Sequence, residues 1–405
     1  MRILINLFRL AIGGSQINAI EMGSRLSQQG HEVIVYAPDG ELRDRILNLG
    51  LEFVPAGPAR RRHPPTATGV RALTALARER KIDLIHAYEW SPTLEAALGP
   101  HLRLGVPVLS TIYAVDVPRF VPRNLPMIVG YTDQADTERR RGRREVHVVV
   151  CPVDTAVNSP VADNGVARRR FGFADDQLIA VVVSRLARDL KREGLLAAIA
   201  AVGLVDAAIN LRLLTVGDGP CRAELQAAAD ETNARVGREA VTLTGQLLDP
   251  HDAYAAADIV LGMGTSAQKG MAFGKPVVVQ GERGYWETLT PATLPTYLRQ
   301  NFYGIGNGSD GAPRLAMILT QLANDRRRWP ELGAFGRATA LSVFSNEAAA
   351  DRVATICADV ANRRQPSGRR AGAVLSASGW FAGFRAIELG RGLSTRLRRG
   401  DASGR

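Results

Sequence analysis

A chain of 405 residues with 46% hydrophobic and 22% charged residues is globular, and it exceeds the roughly 250 to 300 residues at which one hydrophobic core stops growing, so two domains are expected. The formal net charge of +11 is local: residues 363–405 hold ten Arg against Glu388 and Asp401, which leaves about +3 for the remaining chain and makes a general polyanion-binding body a poor reading. No nucleic-acid-binding module accompanies the charge, so no nucleic-acid partner is expected.

Taken in chain order, the apolar periods alternate between strand and helix. Residues 3–7 form a short continuous apolar run, residues 15–29 have helical spacing closed by Gly30, and residues 31–37 are extended again, which together make a β-α-β unit. Asn6 and Arg9 interrupt the opening segment and no small-residue cleavage site follows, so an export signal is not expected. A helix over 70–80, a strand at 84–86, a helix after Pro92, and strands at 106–111 and 127–130 follow. Residues 151–164 contain two Pro and several turn formers and read as an interdomain linker. A second set of strands starts at 178–184 and continues through three apolar strands in LRLLTVGDGP, VTLTGQ and AADIVLGMGTSAQKGMAFGKPVVV, between residues 211 and 279. Alternation of this kind builds doubly wound parallel sheets with helices on both faces. The longest apolar run, residues 195–205, has eleven residues, too few against the about twenty that a membrane span requires. Cys151, Cys221 and Cys357 are odd in number and far apart, which fits reduced buried thiols rather than a disulfide framework or a metal site. A cytoplasmic location follows as an expectation.

The segments with chemical content lie where strands run into glycine loops. Gly13-Gly14-Ser15 follows the first strand, Gly217 and Gly219 end LRLLTVGDGP, Gly245-Gln246-Leu247 end VTLTGQL, and Gly264-Thr265-Ser266 lie between IVLGM and a helix. In an open parallel sheet, ligands bind outside the carboxyl ends of the strands, where Gly lets the backbone approach and the next helix presents free N–H groups to an anion. Each loop alone is also explained by Gly and Pro ending a strand. Ser266 has the chemistry of a helix N-cap. Arg185 and Lys191, in SRLARDLKREG, stand after the first strand of the second set. Fixed cations there can stabilise a departing anion without a metal; the other reading is solvated helix-flank charge. Neither a Ser-His-Asp arrangement nor a zinc spacing occurs among the six His.

In order and spacing, residues 1–360 resemble a GT-B glycosyltransferase, in particular the retaining family-4 type. The resemblance implies an α/β fold of two Rossmann-like doubly wound domains facing a central cleft: residues 1–150 on the acceptor side, the linker 151–164, residues 165–362 binding a nucleotide sugar, and a basic tail, 363–405. It implies transfer of a sugar from a nucleotide-diphosphate sugar to an unknown acceptor with retention and with no metal or other cofactor. Arg185 and Lys191 take the catalytic role of stabilising the leaving diphosphate. Gly13, Gly14, Gly217, Gly219, Gly245, Gln246, Leu247, Gly264, Thr265, Ser266 and Lys269 are implied donor contacts, with His86, Tyr88, Tyr113 and Glu282 on the acceptor or cleft side.

The chain also departs from the family pattern. Lys269 replaces the glutamate of E-A-M-A-x-G-x-P, and a Lys cannot accept hydrogen bonds from ribose hydroxyls. Glu282 and Glu287, in QGERGYWE, are candidate replacements. Tyr88 and Tyr113 stand where the family's H-x-H and T-x-H patterns carry His. Two rivals therefore stay open: a non-catalytic homologue that binds a sugar nucleotide or a partner enzyme, and a sugar-nucleotide isomerase of the same fold. In the tail, Trp380, Phe381, Phe384 and Ile387 share one helical face near Arg385 and Arg391, which implies either peripheral contact with a membrane surface or a disordered basic extension.

Overall fold

Runs of branched apolar residues form the strands of two sheets, and the loops between them set which residues meet. The protein is described here by a computed structural model covering residues 1–57, 65–114, 116–363, 371–372, 379 and 381. One unit consists of Met1–Val149 with the chain from Ala350 onward, the other of Val150–Ala349.

In the first unit, strands β1 (Arg2–Asn6), β2 (Glu32–Ala37), β3 (Glu52–Pro55), β4 (Leu84–Tyr88), β5 (Val108–Ile112), β6 (Met127–Val129) and β7 (Val146–Val148) lie in the order β3-β2-β1-β4-β5-β6-β7. All pairs are parallel, with Ile3 opposite both Val33 and Leu84. The strand order reverses between β1 and β4, so their carboxyl ends border the crevice in which such sheets bind ligands. In the second unit, β8 (Leu178–Val183), β9 (Leu211–Val216), β10 (Val241–Gly245), β11 (Ile259–Gly262), β12 (Val277–Gln280) and β13 (Trp286–Thr288) lie in the order β10-β9-β8-β11-β12-β13. Only β13 runs antiparallel, on β12, and the reversal falls between β8 and β11.

The β8 side chains show how the second sheet is buried. Leu178, Ala180 and Val182 pack into one core, while Ile179 and Val181 pack into another on the opposite face. A strand buried on both faces has no polar alternation, which is why these strands read as continuous apolar runs. The edge strands β3, β7 and β13, of three or four residues, are too short to carry a period and were not expected from the sequence.

The ends of the second unit differ from the expected boundaries. Residues 151–164 are ordered within it: the Val153 N–H donates to the Phe344 carbonyl at 2.8 Å, and the Ala156 and Val157 N–H groups both donate to Asp154 Oδ1 at 3.0 Å. The last long helix, Asn346–Asn362, starts in the second unit, but its residues from Ala350 group with the first. There Gln29 Nε2 donates to Asp351 Oδ1 at 2.8 Å and Arg363 pairs with Glu145 at 3.2 Å. Helical periodicity reports which face is apolar, not which sheet receives it. Of the tail's large apolar residues, Trp380, Phe384 and Ile387 lie outside the described residues, as do Arg385 and Arg391. Phe381 packs in the first unit, with ring-centroid distances of 6.3 Å to Trp90 and 5.3 Å to Phe120. Among the described residues, no helix is long and apolar enough to cross a membrane.

One buried cation holds the loop after β5. The Arg143 side chain is 1% exposed and pairs with Glu138, 4% exposed, at 3.2 Å. Its remaining N–H groups donate to the Pro122 carbonyl at 2.6 Å, the Leu125 carbonyl at 3.2 Å and the Val121 carbonyl at 3.3 Å. A planar guanidinium satisfies this fan of acceptors where an ammonium would not. Arg143→Ala leaves Glu138 and three carbonyls short of a donor, and we expect a loss of about 3 to 5 kcal/mol of unfolding free energy, the usual cost of removing one partner of a buried pair. Urea denaturation measures it, and a loss under about 1 kcal/mol would place the pair in the class of exposed ion pairs.

Candidate functional site

The glycines after β8, β9 and β10 have a structural reason before any ligand is considered. Gly217 has φ 143° and a Cβ there would fall deep inside the Ser184 carbonyl oxygen; a Cβ on Gly219 would lie 2.5 Å from the Leu186 carbonyl oxygen. The two loops are stitched backbone to backbone. Ser184 N–H donates to the Val216 carbonyl at 2.9 Å, Leu186 N–H to the Asp218 carbonyl at 2.9 Å, and Cys221 N–H to the Leu186 carbonyl at 3.0 Å. Gly217 N–H reaches the Gly245 carbonyl at 2.8 Å, which adds the β10 loop to the same edge. Gln246 is exposed there, whereas Leu247 turns back onto the core.

On this platform stand two cations. Arg185 is exposed directly after β8, and Lys191, partly buried, is the residue from which the helix Arg192–Val202 starts. Burial, and secondarily the charge of Arg185, lower the Lys191 ammonium to about 8. Among the described residues, no carboxylate is a cause of the Lys191 shift. An anion arriving at this edge would supply the missing counter-charge.

At the end of β11 the chain turns through Gly264, with φ 54° and ψ −134°, into the helix Thr265–Ala272. The N-cap is Gly264, with no side-chain cap, so Ser266 is not the cap its chemistry suggested; the left-handed Gly lets the helix begin two residues earlier. The Gly264 N–H is occupied by the Phe302 carbonyl at 3.1 Å. The donors left for an anion are the first-turn N–H groups from Thr265 onward. Ser266 Oγ accepts from Tyr254 at 3.4 Å, and Lys269 lies partly buried one turn further in.

Both candidate replacement carboxylates are held by tyrosines. Glu282, after β12, accepts from the Tyr303 hydroxyl, and Glu287 accepts from Tyr285 at 2.5 Å and from Tyr297 at 3.4 Å. Burial and hydrogen bonding to these carboxylates push all three phenols up, that of Tyr285 to about 12. Each phenol therefore stays a neutral donor.

In the first unit, Gly13 precedes the helix Gly14–Gln28 as its N-cap residue and Ser15 lies in its first turn. His86 is completely buried; its Nε2 is 2.7 Å from Thr111 Oγ1 and its ring lies 4.5 Å from that of Tyr88. Burial lowers the imidazole to about 3, so it stays neutral in the core and is not available as an acid near neutral pH. Tyr88 is buried beside it, and the Tyr113 ring lies against Gly130. The residue that motif reading missed is Glu89. It follows β4 with φ 69° and ψ 169°, and its Oε1 accepts from Ser15 Oγ at 2.9 Å and from the Tyr113 N–H at 3.3 Å. Burial raises this carboxyl against those hydrogen bonds. A non-Gly residue with positive φ at the strand reversal is a strained position that the surroundings must hold; the sequence signal was only an acid directly after a buried strand.

The carboxyl edge of the second sheet thus brings together Arg185, Lys191, Gly217, Gly219, Gly245, Gln246, Gly264, Thr265 and Ser266. The edge of the first holds Gly13, Gly14, Tyr113 and Glu89. Among the described residues, no group of three or more His, Cys, Asp or Glu side chains is placed to hold a metal ion.

Comparison with known proteins agrees with this architecture. Residues 12–171 match the model of Glycosyltransferase Family 4, and residues 177–292 match that of Glycosyl transferases group 1. A GDP-mannose-dependent alpha-mannosyltransferase of Mycobacterium tuberculosis is 30% identical over 319 residues, covering 69% of this chain and 78% of the relative. A GDP-mannose-dependent monoacylated alpha-(1-6)-phosphatidylinositol monomannoside mannosyltransferase of Corynebacterium glutamicum is 28% identical over 209 residues, covering 48% of this chain and 50% of the relative. Anabaena HepE, solved in complex with UDP-glucose, has the same fold with a TM-score of 0.70 at 16% identity over 89% of this chain and 100% of that one.

The lowered Lys191 gives an electrostatic prediction. A bound diphosphate stabilises the ammonium, so above about pH 8 binding must take up a proton and the affinity falls as pH rises. Calorimetry of a nucleoside diphosphate between pH 7 and pH 10 is expected to show this decline in the wild type and its absence in Lys191→Met. A flat wild-type profile would place the lysine away from the anion.

Proposed function

The chain belongs to the family-4, group 1 glycosyltransferases, and we propose that it transfers mannose from GDP-mannose to a hydroxyl of a lipid-linked glycan with retention of the anomeric configuration. It is a glycosyltransferase that uses a nucleotide sugar; the base, sugar, acceptor and stereochemistry are the proposal. The observation that carries it is the pair of cations Arg185 and Lys191, the latter lowered by burial and by Arg185, on the glycine-lined edge of β8, β9 and β10. In the reaction the bond from the anomeric carbon to the β-phosphate oxygen breaks, and the acceptor oxygen bonds to the same face of that carbon. The acceptor proton passes to the departing phosphate, so no side-chain nucleophile is required. Arg185, Lys191 and the N–H groups at Thr265 and Ser266 take the growing negative charge.

Glu89 has the chemistry to orient the acceptor hydroxyl, since its carboxylate is anchored between Ser15 and the Tyr113 backbone. Tyr113 stands where the family carries a His and serves as a neutral donor. GDP-mannose is favoured because the two curated relatives both depend on it, one of them acting on a phosphatidylinositol mannoside. The basic tail, with eight net positive charges after residue 362, supports attachment to an anionic membrane surface.

Lys269 favours a second reading, a homologue that binds the donor without transfer, because it replaces a carboxylate that would grip ribose. Incubating the full chain with GDP-mannose and, in parallel, UDP-glucose separates the readings. We expect GDP-mannose to raise the melting temperature and to be turned over when membranes containing phosphatidylinositol mannosides are added, with Glu89→Gln lowering kcat by about 100-fold, the cost of a misplaced acceptor hydroxyl. Binding without turnover by the wild type would favour the binding homologue, and a shift by UDP-glucose alone would overturn the donor assignment.

A further inference from the structure

We propose that Gln280, buried at the carboxyl end of β12, is the positioning residue for Lys191: its side-chain amide holds the Lys191 backbone and fills the space left by Gly194 on the same turn. The inference rests on the reading of Lys191 as a diphosphate contact. Gly194 closes the segment SRLARDLKREG and Gln280 opens QGERGYWE, but neither residue stands out as a candidate in the sequence.

Four observations converge. First, Leu190, directly before Lys191, has φ 65°, a left-handed conformation that persists in a non-Gly residue only where neighbours over-determine it. Second, Gln280 is 1% exposed and its Nε2 donates to the Lys191 carbonyl at 3.3 Å. Third, a Cβ on Gly194 would collide with the Gln280 amide nitrogen and lie 2.6 Å from Cδ and 2.7 Å from Cγ, so the glutamine occupies the volume that any other residue at 194 would need. Fourth, Glu193 accepts from the Arg283 N–H at 3.0 Å and the Gly284 N–H at 2.6 Å, which ties the same turn to the same loop a second time.

The consequence is a lysine aimed by a strand on the far side of β11 from its own. Residues 190–194 would relax out of the left-handed turn without these ties, and the ammonium would move toward water. The charged groups on the tied segments are Arg185, Arg188, Asp189, Arg192, which pairs with Glu224, and Glu193 on the lysine's side, and Glu282 and Arg283 on the other. Of these, Arg185 is the one that shifts the lysine, in the same direction as burial. Release of the turn therefore moves the lysine back toward its ordinary range.

The test uses the full chain, with GDP as probe, in calorimetry from pH 7 to pH 10 and in thermal melts. Lys191→Ala fixes the contribution of the lysine itself. Gln280→Ala is expected to weaken GDP binding by about 3- to 10-fold, as for loss of one hydrogen bond, and to move the pH at which affinity declines above that of the wild type. Gly194→Ala pushes the glutamine off the turn and should weaken binding at least as much. In the double variant Gly194→Ala/Gln280→Ala the added methyl enters the vacated space, so its affinity should match Gln280→Ala alone rather than the product of the two losses. Should Gly194→Ala fail to fold, Gln280→Ala and the double variant still decide the matter. Wild-type affinity and pH profile in Gln280→Ala, with Lys191→Ala weakened, would overturn the positioning role while leaving the lysine a ligand contact. Unchanged affinity in Lys191→Ala would overturn the reading on which it rests.

Discussion

The backbone contact between the loops after β8 and β9 is the constraint on which the donor side of this protein depends. Gly217 lies against the Ser184 carbonyl so closely that no side chain fits between them. Three hydrogen bonds continue the seam to Cys221. Because the seam admits only Gly at its tightest points, the carboxyl edge of the sheet is a shelf of backbone atoms rather than of side chains. Arg185 and Lys191 stand on that shelf, where the exposed Asp218 carboxylate is engaged by Arg222 at 3.5 Å.

The electrostatics follow from this geometry. Lys191 is partly buried, stands near another cation and has no carboxylate to lift its lowered proton affinity. Such a group carries an unfavourable desolvation that a phosphate relieves, which converts part of the folding cost into binding affinity. Arg168 shows the contrast within the same unit: it too is buried, but it pairs with Asp258 at 3.2 Å and donates to the carbonyls of Ala174 and Gln177. A cation paired in this way has its charge already met, although the Arg168 Nε is left without a partner. The contrast that bears on ligand binding is the carboxylate partner that Arg168 has.

The first unit uses the opposite charge in a similar way. Glu89 is held in a left-handed conformation at the strand reversal by donors from two other segments, and burial raises its carboxyl. His86, three residues earlier, is a motif histidine turned into the core and kept neutral. The end of the strand accounts for the exchange of prominence: residues 86 and 88 lie within β4, every residue of which is buried, whereas 89 is the first residue beyond it.

Much of this was legible in the amino-acid order. Continuous apolar runs marked the central strands, because a strand covered on both faces needs no polar alternation, and glycines at the strand ends marked the loops on which the family resemblance rests. Arg185 and Lys191 could be singled out because they follow a strand that those loops neighbour. What periodicity could not decide was anything set by contacts between distant segments. The far end of the helix Asn346–Asn362 groups with the first unit, Gly264 rather than Ser266 caps its helix, and His86 is neutral. The strained turns at Glu89 and Leu190, and the hold of Gln280 on Lys191, belong to the same class. Spacing along a chain reports the faces of a single element, whereas conformation at a loop and the charge of a buried group depend on what the rest of the fold brings against them.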